Sequence, residues 1–365
     1  MRHTCFHVAL EPIPSRYSEQ WLWCLKLEFE KYAGHDWTML DILGAPVEGS
    51  DKPTPGVFLN LTATNAWKAS QVAKLSHLFA KGYVTPGDVF LFTDAWNPAI
   101  LNVRYMADLM KIPVRIVSMW HAGSYDPWDY LGYTIKNKEW SKAAELSFFE
   151  ASDVNVFATE FHKNLFIDGI IPQVTEEQWD KIVISGQPHY EIIKTFENLK
   201  HLPKKEDIIV FPHRIGPEKQ PEIFDEMAKL WHSYRFLKLQ TMNLNKAEYY
   251  DYMLRSKISF SCSLQETLGI SQMEAVLAGT VPLMPDSLSY VEMYDPVFLY
   301  DSRLIQVDNR KPSSDNIRNL IILACDIAYD SENHYWQERL RWQKEKLIRD
   351  YLTCTPMFNA IIGEK

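Results

Sequence analysis

Short apolar segments alternate with segments of helical spacing along the chain, and this alternation constrains the fold more than any other feature. The apolar runs are six or seven residues long, and between them apolar residues recur every three or four positions. Such a pattern predicts parallel β-sheets with helices on both faces. The predicted strands are 5–10, 56–61, 88–93, 114–120 and 154–159 in the first half, and 208–214, 234–240, 258–263, 280–286 and 296–301 in the second.

The same pattern divides the chain into domains. The 365 residues suit two domains, since single domains commonly have about 100–200 residues. The alternation is interrupted near 183–193, and a turn-rich and then lysine-rich stretch ends at Asp207. We therefore expect an N-terminal domain at 1–190, a C-terminal domain at 206–332, and a long helix within 333–365 that packs back toward the first domain. Open α/β sheets bind ligands at the carboxyl ends of their strands, so we expect a site in the cleft between the domains.

Charge and cysteine usage limit the partners and the environment. The formal net charge of −9 argues mildly against nonspecific nucleic-acid binding, although basic runs at 200–205 and 339–349 leave a local basic groove open. Five cysteines without a C-x-x-C pair are typical of reduced thiols. No apolar run approaches the roughly 18 residues that a membrane span requires. We expect a cytoplasmic protein with no membrane contact.

Two cations follow the strand predicted at 208–214. Arg214 ends this strand, and Lys219 lies five residues later, ahead of a helix that Pro221 can begin. A guanidinium fork and an ammonium at a strand end suit a diphosphate group. An ordinary charged surface loop explains these two residues equally well when they are taken alone.

The stretch ETLGISQMEA at 266–275 places two glutamates eight positions apart around one glycine. A helix is predicted from Ile270, and the N–H groups at its start form an anion site that Gly269 leaves open to close approach. Glu266 at the turn would reach a polyol, and Glu274 in the helix would accept hydrogen bonds from ribose hydroxyls. The alternatives are a solvated turn for Glu266 and a buried salt bridge for Glu274.

Taken together, Arg-x4-Lys and Glu-x7-Glu in this order resemble the donor-site signature of family-4 GT-B glycosyltransferases. PHRIGPEKQPEIF and ETLGISQMEAVLAGTVPLMPDSLSYVE especially resemble the branch that contains the tRNA-queuosine mannosyltransferases. The resemblance covers most of residues 208–295. It implies an α/β protein of the GT-B class, with two Rossmann-like domains facing a central cleft and a long C-terminal helix.

The resemblance also implies a nucleotide-sugar donor and assigns residues to it. Arg214 and Lys219 would bind the diphosphate and neutralise its charge as it leaves, and Glu274 would bind the ribose. The donor sugar would be held by Glu266, Thr267, Leu268 and Gly269. No D-x-D triplet occurs, so no metal is expected. The expected donor is a UDP-sugar in preference to a GDP-sugar, and transfer is expected to retain the anomeric configuration.

The first half resembles the family less closely. The stretch MWHAGSYDPWDYLG at 119–132 occupies the place where such enzymes have a strand-end histidine beside the donor sugar. The resemblance therefore implies that His121 is a catalytic residue in contact with the transferred sugar, although a lone strand-end histidine is more often structural. The queuosine branch has an acidic residue directly after this histidine, whereas this chain has Ala122. That departure concerns the acceptor rather than the fold.

The acceptor depends on the first half. Many relatives carry a Gly-Gly pair after the first strand, where this chain has EPIPSRY, and Ser15, Arg16 or Tyr17 would take over its contacts. The small size and divergent first half also resemble bacteriophage enzymes that add sugars to 5-hydroxymethylcytosine in DNA, the acceptor favoured here. A flipped base needs an aromatic pocket and nearby basic residues. The candidates for this role are Tyr125, Trp128, Trp96, Arg16 and Arg104, each of which could equally be a core or surface residue.

Three alternatives to a DNA acceptor stay open. One is an enzyme like the tRNA-queuosine mannosyltransferases, and another is a glycosyltransferase that makes a saccharide or a glycolipid. The third is a nucleotide-sugar-binding protein without catalysis, which the four charged signature residues make the least favoured.

Overall fold

The computed structural model describes residues 3–13, 16–48, 60–199, 202–306 and 312–364. The chain divides into two compact units: the first comprises Met1–Glu191 with Thr353–Lys365, and the second comprises Ile192–Leu352. Each unit contains one sheet, and the strand pairs in both sheets are parallel. The α/β class predicted from the alternation is confirmed.

The first unit has a six-stranded sheet in the order β2-β1-β3-β4-β5-β6. Its strands are β1 His3–Val8, β2 Trp37–Ile42, β3 Val89–Phe92, β4 Arg115–Met119, β5 Val154–Phe157 and β6 Ile182–Ile184. The helices between them are α1 Tyr17–Ala33, α2 Leu61–Ala80, α3 Ala99–Met110, α4 Tyr130–Thr134, α5 Lys138–Ala151, α6 Glu160–Ile170 and α7 Glu176–Asp180. Helix α8, Tyr190–Glu197, runs from the first unit into the second.

The second unit has a five-stranded sheet in the order β11-β10-β9-β7-β8. Its strands are β7 Ile208–Phe211, β8 Arg235–Lys238, β9 Ile258–Phe260, β10 Val281–Pro285 and β11 Leu299–Tyr300. Its helices are α9 Pro221–Leu230, α10 Lys246–Arg255, α11 Ile270–Leu277, α12 Tyr290–Met293, α13 Ser314–Asp330 and α14 His334–Leu347. The last helix, α15 Thr355–Ile362, belongs to the first unit.

Alternating side chains divide the core of the first unit into two layers. Phe6 and Phe90 lie on one face of the sheet, in a cluster with buried residues of α2, α3, α5 and α6. Cys5 and Leu91, their neighbours in sequence, lie in a separate cluster with buried residues of α1 and α15. Because successive residues of a strand point to opposite faces, fully apolar strands such as β3 are buried on both sides.

Nine of the ten predicted strands coincide with strands of the structure. The tenth, 56–61, lies mostly outside the described residues, and the side chain of Asn60 caps helix α2, which begins at Leu61. Strands β2 and β6 were not predicted, and β6 and α8 occupy part of the stretch at 183–193 where the alternation was expected to be interrupted.

The end of the chain is divided between the units. Helix α14 buries Trp336, Leu340 and Leu347 as a stripe, and one π-helical turn, Ile348–Leu352, follows it in the second unit. Helix α15 packs in the first unit, where Phe358 contacts Phe29 edge-on with ring centroids 5.7 Å apart. No helix in the described part of the chain is both long and apolar enough to cross a bilayer.

Candidate functional site

The carboxyl edge of the second sheet brings the signature residues of that half together. Strands β7 and β9 pair directly, so the loops that follow them leave the sheet side by side. The loop after β7 carries Arg214 and Lys219, and the loop after β9 carries Glu266 and leads into α11. The two stretches are distant in sequence, and parallel pairing makes them neighbours.

Lys219 and Glu266 form an ion pair at this edge. Lys219 Nζ donates a hydrogen bond to Glu266 Oε1 at 2.8 Å and another to the carbonyl of Gln265. The side chains of Lys219 and Glu266 are 5% and 16% exposed. Burial raises the pKa of Glu266, but the charge of Lys219 and the hydrogen bond that it donates outweigh this effect and hold the pKa below its usual value of 4.5. Glu266 is therefore ionised at neutral pH.

His213 is a member of this cluster that the sequence did not reveal. Gln272 Nε2 donates to His213 Nε2 at 3.3 Å, and His213 Nδ1 lies 3.2 Å from Ser271 Oγ and 3.5 Å from Glu266 Oε1. Burial lowers the pKa of His213 to about 3, against the smaller raising effect of Glu266. The imidazole is neutral, and it connects the β7 loop to the first turn of α11. Only its position directly before Arg214 could have indicated this role.

Arg214 lies against a second buried carboxylate. Its Nη2 is 2.8 Å from Oε1 of Glu218, whose side chain is 2% exposed while that of Arg214 is 29% exposed. Glu218 lies in a single 3-10 turn, Pro217–Lys219, immediately before the lysine. Both predicted diphosphate-binding cations are therefore paired within the protein.

The turn before α11 has the backbone geometry of an open helix start. Gly269 has φ 74° and ψ 49°, a left-handed conformation that favours glycine, and it provides no side chain to cap the helix. A Cβ at this position would lie 2.8 Å from Cε1 of the fully buried Tyr290. Leu268 is buried beneath the turn, and Thr267 lies beside it. The start of α11 thus has no side-chain cap, and it follows directly on the turn that carries Glu266.

Glu274 is buried and fully engaged. Lys246 Nζ and Tyr250 Oη donate to its Oε1 at 2.8 and 2.9 Å, and Tyr249 Oη donates to its Oε2 at 3.0 Å. All three donors belong to α10. The ammonium of Lys246 also lies 4.6 Å from the centroid of the Tyr250 ring. The structure therefore contains the buried salt bridge that was the alternative explanation for Glu274, and a ribose contact stays a prediction.

In the first unit, His121 follows β4 at the carboxyl edge of that sheet. Its Nε2 donates to the Thr93 carbonyl at 2.7 Å, and its Nδ1 accepts from Gln187 Nε2 at 3.1 Å. The ring of Trp21 stacks on it with centroids 5.7 Å apart. Burial lowers the pKa of His121 despite the opposing charge of Asp94, so the ring is neutral.

Asp94 and Lys68 are a further pair at this edge that the sequence did not reveal. Lys68 Nζ donates to Asp94 Oδ2 at 2.6 Å, and the Trp96 amide donates to Asp94 Oδ1 at 2.9 Å. Burial raises the pKa of Asp94, but the charge of Lys68 and the hydrogen bonds from Lys68 and the Trp96 amide outweigh this effect and hold the pKa below its usual value of 3.8. Asp94 comes directly after a buried strand, and this position was the available sequence signal.

The predicted acceptor residues differ in their burial and in their contacts. Tyr17 packs against Trp21 with ring centroids 4.8 Å apart, and Arg16 precedes it at the start of α1. Tyr125 is 8% exposed, and its hydroxyl lies 2.7 Å from His162 Nε2 inside the core. Trp128 is 39% exposed. Tyr125 therefore presents no free polar group to an acceptor, whereas Trp128 presents a ring.

The basic runs and metal-type side chains can also be located. Lys205 donates to Thr280 Oγ1 at 2.9 Å, and burial lowers its pKa to about 7, while residues 200–201 lie outside the described part. In the run at 339–349, Arg339 pairs with Asp295, and Arg349 pairs with Asp350. Within the described ranges, no three His, Cys, Asp or Glu side chains are grouped in a way that could hold a metal ion.

The sequence matches no protein-family model and no curated protein. Solved structures match along the whole chain. The N-terminal domain of Candida albicans trehalose-6-phosphate phosphatase is similar at a TM-score of 0.63 and 10% identity, over 100% of this chain and 96% of that one. Sucrose-phosphate synthase from Thermosynechococcus elongatus is similar at a TM-score of 0.60 and 12% identity, over 99% of this chain and 96% of that one. An alpha-glucosyltransferase in complex with UDP-glucose and DNA containing an abasic site is similar at a TM-score of 0.53 and 13% identity, over 99% of both chains.

These likenesses define the class of fold. At such low identity they show that the two parallel α/β units have the GT-B fold, as the sequence predicted, and they show the fold alone. The family-4 branch and the roles of individual residues stay predictions.

Proposed function

We propose that this protein is a retaining, metal-independent glycosyltransferase that moves a sugar from a nucleotide sugar to a hydroxyl group. The observation that carries the proposal is the cluster of Arg214, Lys219, Glu266 and the uncapped start of α11 at the carboxyl edge of β7 and β9. Cations and helix N–H groups at a strand end bind phosphates. The GT-B fold supports the assignment, since glycosyltransferases with this fold match the whole chain.

In this mechanism the diphosphate is the leaving group. Arg214, Lys219 and the first turn of α11 stabilise the charge that develops on it as the bond from the sugar carbon to the diphosphate oxygen breaks. The acceptor oxygen forms its bond to that carbon on the same face, and its proton passes to the departing diphosphate. The charges are supplied by side chains and a helix terminus, and the mechanism requires no metal ion.

The other predicted residues bind the rest of the donor. Glu266 is ionised, and it accepts hydrogen bonds from the hydroxyls of the transferred sugar while Lys219 stays beside it. Glu274 binds the ribose, with α10 holding the carboxylate in place. His121 contacts the transferred sugar after exchanging its partner Gln187 for a sugar hydroxyl.

We assign UDP-sugars as the donors and 5-hydroxymethylcytosine in DNA as the favoured acceptor. The support is the similarity to the alpha-glucosyltransferase that was captured with both UDP-glucose and DNA, which extends over 99% of each chain. Trp128, Arg16 and Tyr17 are the candidates for base and backbone contacts. A small saccharide is the second candidate, because sucrose-phosphate synthase and a trehalose-6-phosphate synthase have higher TM-scores, 0.60 and 0.57.

A panel assay tests the proposal. Radiolabelled UDP-glucose, UDP-N-acetylglucosamine and GDP-mannose are incubated with the protein and a hydroxymethylated duplex, an unmodified duplex, tRNA or sugar phosphates. We expect transfer from a UDP-sugar to the hydroxymethylated duplex and slow donor hydrolysis without an acceptor. Transfer to tRNA or sugar phosphate alone would refute the DNA assignment, and absence of both hydrolysis and transfer with every donor would refute catalysis.

Variants test the site in the same assay. Lys219→Ala should reduce transfer by at least about 100-fold, since a cation that stabilises a leaving group contributes several kcal/mol. Lys229→Ala is the matched control, because Lys229 also pairs with a glutamate, Glu226 at 2.6 Å, but lies exposed on the outside of α9. Equal transfer activity of Lys219→Ala and Lys229→Ala would refute the assignment of Lys219 as a diphosphate-binding residue.

A further inference from the structure

Each of the two cations at the edge of the second sheet already has a carboxylate partner. Lys219 Nζ lies 2.8 Å from Glu266 Oε1, and Arg214 Nη2 lies 2.8 Å from Glu218 Oε1. When all four groups are ionised, their charges sum to zero. An approaching anion therefore meets two ion pairs and not two uncompensated cations.

Glu218 is the less well satisfied of the two carboxylates. It is 2% exposed, and neither of its oxygens has a hydrogen-bond donor among the described residues, because the close approach of Arg214 lacks hydrogen-bond geometry. Glu266, by contrast, accepts a hydrogen bond from Lys219. Burying a carboxylate without hydrogen bonds is unfavourable, and the guanidinium of Arg214 is the opposite charge that lies beside it.

The loop is shaped to hold this carboxylate. A Cβ at Gly216 would lie 2.6 Å from both carboxylate oxygens of Glu218, so a larger residue there would displace the carboxylate from its present position. The Leu264 amide donates to the Glu218 carbonyl at 2.7 Å, which fastens the turn to the loop after β9. The backbone of Glu218 is thus held beside the loop after β9, with its buried carboxylate against Gly216.

Arg214 is the more accessible of the two cations. Its side chain is 29% exposed, whereas that of Lys219 is 5% exposed. A guanidinium has five N–H groups in a planar fork, so Arg214 can bind an anion without leaving Glu218. The buried negative charge then lies one guanidinium away from the anion and repels it.

We propose that Glu218 limits the affinity of this site for a diphosphate and thereby speeds release of the nucleoside diphosphate product. The inference rests on the proposed function of this edge as the diphosphate site. Product release limits the turnover of many enzymes. A site with two uncompensated cations would retain a nucleoside diphosphate longer than one in which each cation has an internal carboxylate.

The test is Glu218→Gln, which keeps the shape of the side chain and removes its charge. We expect the dissociation constants of inorganic pyrophosphate and of UDP, measured by calorimetry, to fall by roughly tenfold. The dependence of binding on salt should become steeper, because the site gains one net positive charge. With an active donor and acceptor, kcat and KM should both fall, with kcat following the slower release of UDP.

Glu226→Gln is the matched control, since Glu226 pairs with Lys229 on the exposed face of α9 and its substitution should leave pyrophosphate binding unchanged. Binding by Glu218→Gln that equals the control, or that is weaker than wild type, overturns the inference, and weaker binding would make Glu218 a positioning residue for Arg214. Pyrophosphate binding does not require transfer activity. Failure of the glycosyltransferase assay with tightened pyrophosphate binding would therefore refute the proposed function alone.

Discussion

Removing the ammonium of Lys219 should destabilise the second unit, and a second substitution at Glu266 should restore part of the lost stability. Lys219→Met keeps the aliphatic stem but leaves Glu266 Oε1 and the Gln265 carbonyl without their donor. Breaking a buried ion pair costs about 3–5 kcal/mol. Because the side chain of Glu266 is 16% exposed, we expect a loss at the lower end of that range, about 3 kcal/mol at pH 7.

The double variant Lys219→Met/Glu266→Gln removes both charges together. Its loss should be only about 1–2 kcal/mol, since a neutral amide is easier to bury than an unpaired carboxylate. The energy of coupling between the two positions should therefore exceed about 1 kcal/mol. Both single variants and the double variant should lack transfer activity, so that stability and activity respond differently to the second substitution.

The pH dependence follows from the pKa of Glu266. In the wild type this pKa is lowered, so the ionised pair stabilises the fold above the unfolded pKa, and that stability is lost as the pH falls through the folded pKa. Without Lys219, burial dominates and the pKa of Glu266 rises. The deficit of Lys219→Met should therefore be smaller at pH 4 than at pH 7.

Urea-induced unfolding at the two pH values, followed by circular dichroism, measures these differences. An equal deficit at pH 4 and pH 7 would contradict the assignment of the loss to an unpaired carboxylate. A double variant whose loss equals the sum of the two single losses would show that the pair is not coupled. The Lys229→Met variant, which removes an exposed ammonium of the same unit, should change stability by less than about 0.5 kcal/mol.

Two further predictions concern stability in the second unit. Burial lowers the pKa of Lys205 from 10.5 to about 7, so between these pH values the unfolded chain binds one proton more and the stability of the wild type rises with pH. Lys205→Met should therefore be more stable than wild type at pH 7. In urea unfolding this advantage should shrink by about 3 kcal/mol between pH 7 and pH 10. Gly269→Ala should destabilise the protein by about 2 kcal/mol or more in the same assay, because Gly269 has φ 74° and the added Cβ would lie 2.8 Å from Tyr290. The control is Gly279→Ala, which should lose only about 1 kcal/mol, since Gly279 has φ 68° but an added Cβ there would meet no other atom within 4 Å.

Strand burial explains which strands could be predicted. β3 and β7 are apolar at every position and buried on both faces, so their sequences differ clearly from those of their surroundings. β2 and β6 are the edges of the six-stranded sheet and are only partly buried, and β6 has three residues. Edge strands need fewer apolar residues, and the pattern that identifies a strand is weak there.

The candidate site divides in the same way. The spacing of Arg214, Lys219, Glu266 and Glu274 was visible because the two cations lie close together in one stretch of sequence and the two glutamates lie close together in another. Their partners were not predictable, because no sequence spacing relates them: Glu274 is bound by α10, and His213 lies between the two loops.

The sequence by itself determined the alternation of strands and helices, and with it the α/β class and the positions of Arg214, Lys219 and Glu266 in loops that follow strands. Local spacing is sufficient for this, because burial on one or both faces of an element imposes its own period. Only the tertiary structure decided that Lys219 lies against Glu266 and that Asp94 lies against Lys68. Charge pairing and burial depend on which strands are neighbours in the sheet. β7 pairs directly with β9, although β8 separates them in the sequence, and this pairing is a property of the folded chain.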